Sequence, residues 1–422
     1  MTQSTAFSSL DLPASQLDNL SKLGYASMTP IQALAIPEIL AGHDLIAKAK
    51  TGSGKTAAFG IGLLNKVEAS VFRVQGIVLC PTRELASQVA DALRKIARYQ
   101  HNIKILTLCG GQPIGPQIGS LKHGAHIVVG TPGRICDHIR KGTLTLGDVH
   151  TFVLDEADRM LEMGFRDDID RVAEQLPALR QTLLFSATYP PEIGDLSARY
   201  QYEPKTVEAE AIHQQSQLEQ HFVTTEHNNK LEFLGAAIGR IKPASSVVFC
   251  NTRAQCQDVT AHLRKLGVHT LALHGDLEQR DRDQVLVRFA NRSSRILVAT
   301  DVAARGLDID DLDAVFNFEL PRDPEVYVHR IGRTGRGGKS GVAVSLASEK
   351  EAYKVERIES YTGQSAKYLT LSIKEAPRAL PSKPEMVTLC IAGGKKDKVR
   401  PGDILGALTG DAGLEGNDVG KI

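Results

Sequence analysis

The sequence predicts an α/β fold of two parallel sheets in tandem, and three observations carry that prediction. At 422 residues the chain exceeds one ordinary domain, so two or three are expected. Short apolar runs alternate with helical patterns, and the runs are too uniformly apolar for strands that bury one face only, which implies parallel sheets covered on both sides. A polar, Gln-rich stretch at about 205–217 interrupts the alternation, which then begins again.

The first half opens with the apolar stretch Leu45-Ile46-Ala47, followed by the loop Ala49-Lys50-Thr51-Gly52-Ser53-Gly54-Lys55-Thr56 and a helical pattern from Ala57-Ala58-Phe59. The loop has the G-x-x-x-x-G-K-[ST] grammar of a P-loop with Ala49 in place of the first glycine, in the strand, loop, helix setting that phosphate binding at a helix N-terminus requires. Its backbone N–H groups can wrap a phosphate while Lys55 neutralises it and Thr56 holds Mg²⁺. Further strands are expected at 76–80, 103–108, 127–129, 152–154 and 183–185, with Leu85, Val89, Leu93 and Ile96 at helical spacing between the first two. Polar clusters follow these runs: Pro81 to Ala86, Gly110-Gly111, Thr131 to Arg134, Asp155-Glu156-Ala157-Asp158 and Ser186-Ala187-Thr188. All fall at carboxyl ends of expected strands, where open α/β sheets bind ligands. In the acidic tetrad, strand alternation would let Asp155 face a metal while Glu156 faces the water that attacks a terminal phosphate.

In the second half, strands are expected at 247–250, 270–273, 296–299, 315–316 and 342–346, with helices at 254–266 and 282–290. No second P-loop occurs there. The stretch His329 to Gly337 instead concentrates Arg330, Arg333 and Arg336 among small residues. Either it is a solvated basic face, or Arg333 and Arg336 act as arginine fingers toward the γ-phosphate held by Lys55, which would make hydrolysis depend on closure of the two domains. Pro377, Pro381 and Pro384 then stiffen a connection to a terminal piece, with Val387 to Ile391 expected as a strand and Pro401 to Leu405 as a helix start.

Lys plus Arg (50) balance Asp plus Glu (49), so no global positive field recruits a polyanion and contacts with one must be local. The six cysteines follow no zinc spacing and read as reduced, mostly buried thiols, with no metal assigned to them. Met1 to Leu12 lack the features of a secretory leader, and no apolar stretch is long enough to span a bilayer, so the expectation is a cytoplasmic protein without a membrane partner.

Jointly these motifs, in this order over about residues 7–365, resemble the DEAD-box ATP-dependent RNA helicases of superfamily two. Gly24 to Gln32 resembles that family's Q motif, with Phe7 as the upstream aromatic; the Gln32 amide could read adenine's edge and Tyr25 offers a stacking face. The resemblance implies RecA-like domains at 1–204 and 218–375, joined by a linker at 205–217, then a Pro-containing linker at 376–385 and a partial RNA-recognition module at 386–422. It implies ATP and Mg²⁺ as cofactors, with Tyr25, Thr29, Gln32, Lys50, Thr51, Gly52, Ser53, Gly54, Lys55, Thr56, Gly306 and Asp308 on the nucleotide. Thr56 and Asp155 would hold the metal, Asp155 through water, with Glu156 activating the attacking water and Arg333 and Arg336 stabilising the transition state. Ser186 and Thr188 would couple hydrolysis to strand separation. Arg83, Gly111, Thr131, Arg134, Thr252, Gly275 and Thr300 would line an RNA track, and Gln279 and Arg282 match the family's Q-x-x-R element. The terminal piece is similar to the module of the bacterial DbpA subfamily, which implies large-subunit (23S) ribosomal RNA as substrate, in ribosome assembly; the expected state is a monomer. An ATP-dependent RNA clamp with little unwinding and a DNA-directed translocase of the same superfamily remain the alternatives.

Overall fold

The computed structural model describes residues 5–49, 52–209, 218–226, 229–301, 312–335, 340–373, 384, 386–394 and 397–420. The described chain forms two compact units, one ending by residue 214 and the other containing the rest. In the first lobe seven strands form one sheet: β1 (Leu45–Lys48), β2 (Gly76–Leu79), β3 (Ile105–Leu108), β4 (Ile127–Gly130), β5 (Thr151–Leu154), β6 (Gln181–Ser186) and β7 (Lys205–Glu208), in the order β3-β4-β2-β5-β6-β1-β7. Every pairing is parallel. The apolar runs explain this: alternate residues of one strand enter cores on opposite faces, Val153 on one side and Phe152 and Leu154 on the other.

The second lobe repeats the plan. Its strands β8 (Leu218–Thr225), β9 (Ser246–Cys250), β10 (Thr270–Leu273), β11 (Ile296–Thr300), β12 (Ala314–Asn317) and β13 (Gly341–Ser348) are ordered β10-β11-β9-β12-β13-β8, again all parallel. Setting β8 against β1 and continuing in chain order, this is the first lobe's arrangement without a counterpart of β7. Two such lobes are the expected tandem of RecA-like sheets.

Three expectations are corrected. Lys205–Glu208, placed in the connector on their polar composition, form the edge strand β7, where pairing on one side only removes the need for an apolar run, and Glu208 forms an ion pair with Lys48 at 2.6 Å. Val387 to Ile391 have no regular secondary structure; Val387, Leu389 and Ile391 are exposed, and no strand among the described residues pairs with them. The helix expected at Pro401 is present as Pro401–Gly406. Third, Asp155 and Glu156 lie beyond the end of β5, so strand alternation does not orient them. Among the described residues no helix is long and apolar enough to cross a membrane.

Candidate active site and nucleic-acid interface

Because all strands run one way, their carboxyl ends share one edge of each sheet. In the first lobe that edge divides in two. The P-loop after β1, the acidic tetrad after β5 and Ser186 at the end of β6 occupy the adjacent strands β5-β6-β1. Arg83 after β2, Gly111 after β3, and Thr131 and Arg134 after β4 occupy the adjacent strands β3-β4-β2. The second lobe repeats the latter half: Thr252 follows β9, Gly275 follows β10 and Thr300 ends β11, the counterparts of β2, β3 and β4.

The phosphate loop is braced from behind. Thr29 Oγ1 donates to Ser53 O at 2.8 Å, and Gln32 Nε2 donates to Gly54 O at 3.1 Å while Gln32 Oε1 accepts from Thr29 N at 2.9 Å. Both ends of the Gln32 amide are thus engaged within the protein. Gly54 begins the helix Lys55–Lys66 at φ 93°, and a Cβ there would stand 2.5 Å from Gln32 Nε2, so conformation and space both require glycine. This N-terminus has no side-chain cap, which leaves its N–H groups as anion donors. Lys55 Nζ, almost fully buried, donates to Ala49 O at 2.7 Å. Tyr25 is half-buried and packs edge-on to Phe7, with ring centroids 6.0 Å apart.

Glu156 adopts φ 53°, ψ 52°, a left-handed conformation that costs a residue with a Cβ about 1–2 kcal/mol. That turn, rather than strand pleating, separates Glu156 from Asp155; Glu156 Oε2 then accepts from Arg159 Nη1 at 3.1 Å in a buried pair. Asp155 is buried, its Oδ1 has no hydrogen-bond partner, and its pKa is pushed up to about 7, by burial first and against the pull of Lys55. An acid held this way suits a divalent cation. No group of three or more His, Cys, Asp or Glu side chains with metal-ligand spacing occurs among the described residues. Mg²⁺ would therefore need to take most of its oxygens from phosphates and water, which is its usual habit. The third acid makes a contact that the sequence did not disclose. Asp158 Oδ2 accepts from Ala187 N (3.1 Å), Thr188 N (3.0 Å) and Thr188 Oγ1 (2.9 Å), tying the tetrad to Ser186-Ala187-Thr188. No spacing in the sequence signals this contact, because Glu156 turns the chain between Asp155 and the helix that carries Asp158.

On the other half of the edge, Gly111 has φ 75°, and a Cβ there would fall 1.6 Å from Arg83 Nη1, so the guanidinium lies directly against this loop. Arg134 donates from both terminal nitrogens to Gln112 O at 3.1 Å. In the second lobe Thr252 caps the helix Arg253–Lys265, as Thr82 caps Arg83–Ile96 in the first, which makes Arg253 the positional counterpart of Arg83. Gly275 is exposed, and Thr300 and Arg333 are buried. Lys50, Thr51, Gly306, Asp308 and Arg336 lie outside the described residues. The other arginine of that cluster, Arg330, is the one that sequence reasoning left without a part: 2% exposed, it pairs with both oxygens of Asp301 (2.6 and 2.7 Å) and donates to Asn251 Oδ1 (2.9 Å), Asn317 Oδ1 (3.2 Å) and Glu319 O (2.7 Å).

A P-loop at a parallel sheet edge, an acidic tetrad two strands away and a second sheet of the same order without a P-loop define a nucleoside triphosphatase of two RecA-like lobes. Family models match residues 29–196 (DEAD/DEAH box helicase), 229–338 (helicase conserved C-terminal domain) and 388–422 (DbpA RNA binding domain). The chain is 56% identical over 419 residues to the ATP-dependent RNA helicase DbpA of Escherichia coli K12, an alignment covering 99% of this chain and 91% of that protein. It is 45% identical over 359 residues to the DEAD-box ATP-dependent RNA helicase CshA of Bacillus anthracis, covering 85% of this chain and 68% of that one. Among solved structures, S. cerevisiae Dbp5 bound to RNA and ADP BeF3 superposes with a TM-score of 0.79 at 30% identity, over 86% of this chain and 95% of Dbp5. The chain belongs to the DEAD-box family of ATP-dependent RNA helicases, and within it is DbpA-like.

Proposed function

We propose that this helicase couples ATP hydrolysis to the local opening of duplexes in large-subunit (23S) ribosomal RNA, as a cytoplasmic monomer active in ribosome assembly. The observation that carries the coupling is the divided sheet edge: the residues assigned to the nucleotide, on β5-β6-β1, and those assigned to RNA, on β3-β4-β2, share one sheet. The ribosomal target is supported by the likeness of residues 388–422 to the DbpA RNA binding domain. The functional parts are 1–208, 218–375 and 386–422, the first extended from 204 by β7, with 209–217 and 376–385 as connectors.

In this reading Tyr25, Thr29 and Gln32 hold the base and brace the loop from Lys50 to Gly54, and Lys55 leaves Ala49 O to meet the β/γ-phosphates. Mg²⁺ would be held by Thr56 and, through water, by Asp155, and would neutralise charge that develops on the phosphates. Glu156 orients and deprotonates the attacking water. Arg333 and Arg336 stabilise the transition state, and Gly306 and Asp308 contact the nucleotide, once the lobes close. ATP and RNA each favour that closed state, so by linkage each strengthens binding of the other. Asp158 passes the state of the phosphate site to Ser186 and Thr188. Arg83, Gly111, Thr131, Arg134, Thr252, Gly275 and Thr300 hold the RNA by its backbone, which reads little sequence.

ATPase titrations with ribosomal RNA, unrelated RNA and DNA of equal sequence test the substrate: stimulation by ribosomal RNA at the lowest concentration is expected, and equal stimulation by DNA would refute RNA selectivity. Glu156→Gln is expected to retain ATP and RNA together while lowering turnover about 100-fold or more, the scale of losing a general base. Wild-type turnover in that variant would remove Glu156 from the chemistry.

A further inference from the structure

One buried amide touches both sides of the RNA half of the first lobe. Gln117 is the buried residue of the helix Ile114–Lys122, a polar group where packing alone would favour an apolar one. Its Nε2 donates to Cys109 O at 3.0 Å. A carbonyl only accepts, so this contact orients the amide and leaves Oε1 toward the helix Pro132–Arg140. There it accepts from Arg134 Nη1 at 3.1 Å and from His138 Nε2 at 3.0 Å. His138 must then carry its proton on Nε2, with Nδ1 facing Thr143 Oγ1 at 2.9 Å. Burial, reinforced by Arg134, lowers the His138 pKa, consistent with a neutral ring. Arg134 returns to the same loop through its two bonds to Gln112 O. The Cys109–Gln112 loop, Gln117 and Arg134 thus form a closed ring of hydrogen bonds, with Arg83 lying against Gly111 inside the loop.

We propose that Gln117, backed by His138, is a positioning residue for RNA binding: it holds Arg134 and the Cys109–Gln112 loop in one arrangement, so that RNA meets groups already ordered. The inference rests on the reading of Arg83, Gly111 and Arg134 as RNA contacts. Preorganisation lowers the cost of binding rather than the chemical barrier, so its loss belongs in the RNA concentration dependence.

The test uses the full chain and a single-stranded RNA of fixed length, reading KM for RNA, kcat at saturating RNA, ATP affinity without RNA, and Tm. Gln117→Leu is expected to raise KM for RNA about 10-fold, the scale of one or two lost hydrogen bonds, with kcat within about twofold and ATP affinity unchanged. Gln117→Leu added to Arg134→Ala is expected to raise KM no further, because Gln117 acts through Arg134. Should Gln117→Leu fold poorly, the His138 pair carries the test: His138→Leu raises KM for RNA, and His138→Gln, which can still donate to Gln117, restores it. A lowered Tm with unchanged KM, or an effect fully additive with Arg134→Ala, would overturn the proposal. An unchanged KM in Arg134→Ala alone would instead overturn the assignment of the RNA track, and this inference with it.

Discussion

At the end of β5 in the first lobe, Asp155 is buried with Oδ1 unpartnered and its pKa pushed up to about 7. At the end of β12, the same place in the second sheet, Asn317 and the backbone of Glu319 help to saturate Arg330, whose charge is matched by Asp301. The frame is the same, and the handling of buried charge is opposite. A buried charge without compensation lowers stability and persists where a ligand supplies the missing charge; one fully paired is part of the architecture. That difference separates the lobe that carries the P-loop from the lobe that lacks one, even though both carry charged groups at equivalent strand ends.

The sharpest way to break this comparison is to remove Arg330. Arg330→Met should destabilise the second lobe by about 3 kcal/mol, because Asp301, Asn251 and Asn317 lose a shared partner, with Asp301's partial exposure softening the loss. Hydrogen exchange in β9 and β12 should accelerate while β5 and β6 keep their protection; equal loosening of both sheets would mean that the cluster is not local to the second lobe. Asp155→Asn should act in the opposite direction. Removing an uncompensated buried charge is expected to raise the stability of the first lobe by about 2–4 kcal/mol at pH 8 without nucleotide, while abolishing RNA-stimulated ATP hydrolysis. A variant that lost both stability and activity would show Asp155 to be compensated by the protein itself.

Much of this architecture was legible in the chain because buried parallel strands are written as uninterrupted apolar runs: Phe152 to Leu154 and Val247 to Cys250 could hardly be anything else. Edges carry no such mark, so Lys205–Glu208 read as linker and Leu218–Thr225, mixed in polarity, went unassigned. Conversely Val387 to Ile391 read as a strand, since local pattern cannot tell whether a ladder partner exists. The P-loop and tetrad were legible as motifs because they set particular residue types at short spacing after apolar runs. What lay beyond them was geometry: the left-handed turn at Glu156, the choice of Arg330 rather than Arg333 as the hub of a buried cluster, and the reach of Asp158 to Thr188, none of which spacing encodes.

The smallest expected effect is a difference in pH slope. Glu351 is half-buried, and burial alone would raise its pKa, but hydrogen bonds from Lys230 (2.6 Å), Lys354 (2.9 Å) and Ser348 N (3.1 Å) outweigh that and hold it down at about 2. A depressed carboxylate stabilises the fold above its unfolded value of 4.5, and that stability is lost as pH falls toward 2. Asp155, raised from 3.8 to about 7, does the reverse: the first lobe is unpenalised below 3.8 and loses stability as pH rises through 7. Glu351→Gln should therefore flatten the acid limb of the second lobe's stability by about 1–2 kcal/mol, allowing for solvent screening of a half-buried group. Asp155→Asn should flatten the neutral limb of the first lobe. Stability followed lobe by lobe through hydrogen exchange, in wild type and each variant, reads both limbs, and slopes of one sign for the two sites would dissolve the contrast between an open and a closed charge.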